Sequence, residues 1–68
     1  MYTTAMGKAV DKALRLSAAA VSDACRELRG DAPEAVWAIV LGCQAQIVSL
    51  TGIWYDPQEV RLAILERM

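Results

Sequence analysis

Sixty-eight residues make one small domain, 56% hydrophobic before glycine is counted, where typical domains reach about 45–50% with glycine included. Seven lysines and arginines stand against eight aspartates and glutamates, which argues against a basic surface built for nucleic-acid phosphates and against a polybasic membrane-surface helix. Histidine is absent, which removes the commonest general base and the commonest metal ligand together.

The first expected helix runs from about Thr4 to Arg29. Val10, Leu14, Val21 and Leu28 recur at helical spacing, with Ser17 and Ala24 on the same seam. Lys8, Asp11, Lys12, Arg15, Ser22, Asp23 and Arg26 occupy the other side, as on a solvated helix face. Ala9, Ala13, Ser17, Ala20 and Ala24 form a strip of small residues. Met1–Ala13 has no charged segment followed by an apolar run, so no secretory leader is read there and a cytoplasmic protein is expected.

Gly30 is expected to end this helix as a left-handed glycine. Asp31 is expected to cap the next, with Pro33 in its first turn and Glu34 behind it. Helix 2 runs from Pro33 to about Thr51, where Gly52 stops it. From Ala35 to Tyr55 no residue is charged. Ala35, Ala38, Gly42, Ala45, Ser49 and Gly52 line one seam with small side chains. Val36, Val40, Cys43, Ile47 and Leu50 line a second, and Trp37, Leu41, Gln44 and Val48 a third. A helix apolar nearly all round is expected to be buried. The small strips of helices 1 and 2 are expected to meet, inside the hairpin or across a dimer axis. Self-association is expected to use Val36, Trp37, Val40, Leu41, Gly42 and Ile47. The competing reading is a membrane span over residues 35–55, opposed by Gln44 and Gln46 near its middle and by acidic rather than basic flanks.

Helix 3 begins with Asp56 as N-cap, Pro57 at the first position and Glu59 at the third, and Tyr55 and Val60 are spaced as a hydrophobic staple. It is expected to run to about Arg67. Ile53, Trp54 and Tyr55 are consecutive apolar residues in the corner before it. They are expected to meet a protein partner, since Trp and Tyr are enriched among binding hot spots. The bland alternative is that Trp54 closes the end of the core and Tyr55 staples helix 3.

Cys25 and Cys43 have no histidine beside them and no metal-ligand spacing, so they read as small buried hydrophobes. No catalytic residue, cofactor or metal ligand is expected. The expected fold is all-α: one domain, 1–68, a helical hairpin plus a short third helix at about 4–29, 33–51 and 57–67, forming a homodimeric bundle. The expected function is that of a non-catalytic adaptor or inhibitor that occludes a larger protein. A small membrane-associated subunit is the first alternative. A DNA-associated regulator is the second, opposed by the mixed charges Glu59, Arg61, Glu66 and Arg67 on helix 3.

Overall fold

The computed structural model describes residues 4–68, and residues 1–3, part of the stretch read as lacking a leader, lie outside them. The described residues are all-α: α1 spans Thr4–Leu28, α2 spans Pro33–Thr51 and α3 spans Pro57–Leu65. α1 and α2 form an antiparallel hairpin, and α3 packs on both. The molecule is elongated, with principal extents of 40 × 18 × 16 Å.

The core follows the stripe on α1. Val10, Ala13, Leu14, Ala18 and Val21 are buried against Val40, Cys43 and Ile47 of α2 and Val60 and Ile64 of α3. Leu28, the last member of the α1 stripe, is exposed, because it stands at the hairpin turn where α3 does not reach.

The first turn departs from the expected capping. Arg29, not Gly30, takes the left-handed conformation, with φ of 54°. The Gly30 N–H donates to the Cys25 carbonyl at 3.1 Å, the six-to-one bond of a Schellman motif. Asp31 does not cap α2. Ala32 stands at the N-cap with φ of 43° and no side-chain bond. Pro33 needs no partner there, having no N–H to satisfy.

The second and third termini behave as read. Gly52 has φ of 71° and its N–H donates to the Val48 carbonyl at 2.7 Å. The Asp56 carboxylate accepts from the Gln58 N–H at 2.8 Å, with Pro57 following it. α3 stops at Leu65. Its last backbone bonds, Arg67 N–H to Ile64 and Met68 N–H to Leu65, span three residues instead of four, a tightened terminal turn.

Candidate interaction surface

The corner between α2 and α3 is built from backbone outward. Gly52 supplies the left-handed residue that reverses the chain. The Thr51 hydroxyl donates to the Ile47 carbonyl at 2.8 Å and accepts from the Ile53 N–H at 3.1 Å. Gln44 Nε2 donates to the Tyr55 carbonyl at 3.0 Å in a half-buried position. Tyr55 packs on the core and lines one small cleft together with Val60, in keeping with the staple spacing. Ile53 and Trp54 are left outside: Trp54 is 65% exposed and Ile53 41%. Trp54 therefore does not close the core.

The residues expected to mediate self-association divide. Val40 is fully buried and Ile47 nearly so, both inside the chain's own core. Within the single chain both pack in the hairpin core. Val36 is half-buried against the same core. Trp37, Leu41 and Gly42 are exposed. The small seam of α2 is also outside: Ala38, Gly42, Ala45 and Ser49 are exposed, and a Cβ added at Gly42 would meet nothing within 4 Å. The two small strips do not meet within the chain. What buries α2 is its Val36, Val40, Cys43 and Ile47 side, a third of its circumference.

On the α3 side, an open groove of about 750 Å³ runs between α3 and the turn end of the hairpin. Val21, Cys25, Val36 and Trp37 form one flank, and Leu65 and Met68 the other, with Asp31 and Arg61 at the rim.

The ion pairs lie elsewhere. Asp11 accepts from Arg15 Nε at 2.7 Å and from Arg67 Nε at 3.0 Å. Arg67 also donates to the Ala63 carbonyl at 2.7 Å. The Arg67 guanidinium, with Arg15 beside it, holds the Asp11 carboxyl below its ordinary value of 3.8. This is the pair that ties α3 to α1; Arg26 with Asp23 is local to α1.

Among the described residues, no polar or charged side chain is buried, and no three Cys, Asp or Glu gather as a metal site requires. Cys43 is buried in the core, and the half-buried Cys25 thiol approaches the Asp31 carbonyl at 3.5 Å. Sequence reasoning missed Gln44 and Thr51 as the supports of the corner. Their signal was present: a lone amide in an apolar helix and a hydroxyl beside a terminal glycine. No protein-family model matches the chain, and no curated protein or solved structure is significantly similar to it.

Proposed function

We propose that this chain is a non-catalytic protein-interaction module, a small adaptor or inhibitor that acts as a homodimer and occludes a surface on a larger protein. The observation that supports this best is Trp54, 65% exposed on a corner tied down by Gly52, Thr51, Gln44 and Asp56. A large aromatic on a fixed backbone has little order left to lose on binding, the general route to a strong anchor. Ile53 and Trp54 make the contact, and Tyr55, turned to the core, fixes their direction. Self-association uses the part of α2 the fold leaves open away from α3, which includes Gly42; Trp37 lines the groove on the α3 side and Leu41 lies nearer that side. A cytoplasmic location goes with this reading.

The test is Trp54→Ala. The variant is expected to keep its helicity and melting temperature while losing at least tenfold in capture of the partner from source cells, or about 1.4 kcal/mol. A folded variant that captures as well as the wild type removes the corner from the function.

One observation favours a second reading, a small membrane-associated subunit. α2 is long and apolar enough to cross a membrane, yet only 17% of that stretch is buried inside the fold. Trp37 and Trp54 stand near its two ends, as aromatic residues do at membrane interfaces. Fractionation decides between them: this reading requires the chain to co-sediment with membranes and resist salt extraction.

A further inference from the structure

The α1–α2 hairpin has two broad sides, and α3 covers one. α3 meets Val10 and Leu14 of α1 and Ile47 of α2. Its end is tied to Asp11, and the corner before it to Gln44. At about 100° per residue, Leu16 lies about 140° round α1 from Asp11, and Gln46 about 160° round α2 from Gln44. These positions belong to the other side of the hairpin. There Leu16 and Ala20 on α1, and Gly42, Gln46 and Leu50 on α2, are all exposed and uncharged, with Glu27 on the same side of α1 near the hairpin turn.

We infer that a second copy docks on this open side, face to face, with each α1 antiparallel on the other α1 and each α2 on the other α2. The product is a four-helix bundle with both α3 helices outside. The inference rests on the self-association in the function proposed above and says where it occurs.

Three features select a second copy as the occupant. First, a two-fold pairing sets a surface against itself. A charged patch would repel its own image; the middle of this one is uncharged, and Glu27 stands at its turn end, away from the middle. Its bulk also alternates: Leu16 and Leu50 project beside Ala20 and Gly42, so ridge can meet hollow. Second, the rim is complementary under the same rotation. Lys12 and Asp23 flank Leu16 on the outer edge of α1, at equal distances either side of Ser17–Ala18. A two-fold axis crossing α1 there brings Lys12 of each copy level with Asp23 of the other, an opposite-charge register. Third, the size suits a dimer. α2 has 19 residues, so it is about 28 Å long at 1.5 Å per residue. Two helices about 9 Å apart then present a side roughly 20 Å wide and a footprint of about 560 Å². That is the order of the ~800 Å² of accessible surface per partner in a stable interface. One helix alone would offer half as much.

Sedimentation equilibrium of the full chain at micromolar concentration is expected to report twice 7.4 kDa. Leu16→Glu and Leu50→Glu are each expected to weaken the dimer at least tenfold, with helical circular dichroism intact. Met68→Glu, in the groove on the α3 side, is expected to leave it unchanged. Lys12→Asp and Asp23→Lys should each weaken association about threefold at low salt, and the double exchange should restore it. A wild type that stays monomeric overturns the homodimer reading and this inference with it. A wild-type dimer that survives Leu16→Glu, or that Met68→Glu breaks instead, overturns the docking surface alone. Should Leu16→Glu lose helicity, the rim exchange decides: a double variant no tighter than the singles overturns the register.

Discussion

Arg29 holds φ of 54° at an exposed helix end. A side chain in the left-handed region costs roughly 1–2 kcal/mol, a penalty glycine escapes. Arg29→Gly is therefore expected to raise stability by about 1 kcal/mol, read as a higher midpoint in urea. The sequence marks this turn with Gly30, one residue late. A Schellman turn needs both the left-handed residue and the one after it, and hydrogen bonding, not residue type, decides which position each takes. Gly42 teaches the converse. Mid-helix glycine looks like a packing device, but within one chain its open side meets nothing. Gly42→Ala is accordingly expected to stabilise the isolated fold by about 1 kcal/mol, the ordinary difference in helix propensity. A lower melting temperature for this variant in dilute solution would show that the chain itself packs against Gly42.

At the scale of the element, the two inter-helix turns share a vocabulary of Gly, Asp, Pro and Glu, yet only one aspartate caps. Asp56 directly precedes Pro57 and so occupies the N-cap. Ala32 intervenes between Asp31 and Pro33, and takes that place instead. Asp56→Ala is expected to cost about 1 kcal/mol in chemical denaturation, while Asp31→Ala should fall within about 0.5 kcal/mol of wild type. Equal effects would mean that Asp31 supports α2 in some other way. The spacing that separates them was legible in the sequence. The buried side of α1 was legible too, because charges mark its opposite side. That of α2 was not: apolar residues surround it, so periodicity alone could not say that Val40, Cys43 and Ile47 form the third buried in the core. The corner was half legible. Its apolar residues stood out, whereas the direction of Trp54 depends on Gln44 reaching Tyr55 across eleven positions, a contact made only by the fold.

For the whole molecule, the terms that join its parts are few. Among the described residues, Asp11 with Arg67 is the ion pair between helices. It holds the Asp11 carboxyl below 3.8, so the folded state binds fewer protons there than the unfolded chain. Its contribution is complete above about pH 4 and is lost as the pH falls through the lowered value. Arg67→Gln should thus lower the melting temperature slightly at neutral pH and have a fading effect in acid. The rest is apolar contact, and a domain of this size buries only about 60% of the surface its unfolded chain exposes. Large hydrophobic side chains stay outside, Leu16 among them at 60%. A second copy that covers them binds the folded state alone, and mass action then couples folding to concentration. The melting temperature is expected to rise as the protein is concentrated. Leu16→Glu should flatten that slope while leaving the limit at high dilution unchanged, because an exposed side chain contributes little to the single chain. A wild-type melting temperature that stays constant over a hundredfold change in concentration would mean that the chain is stable alone with this surface uncovered.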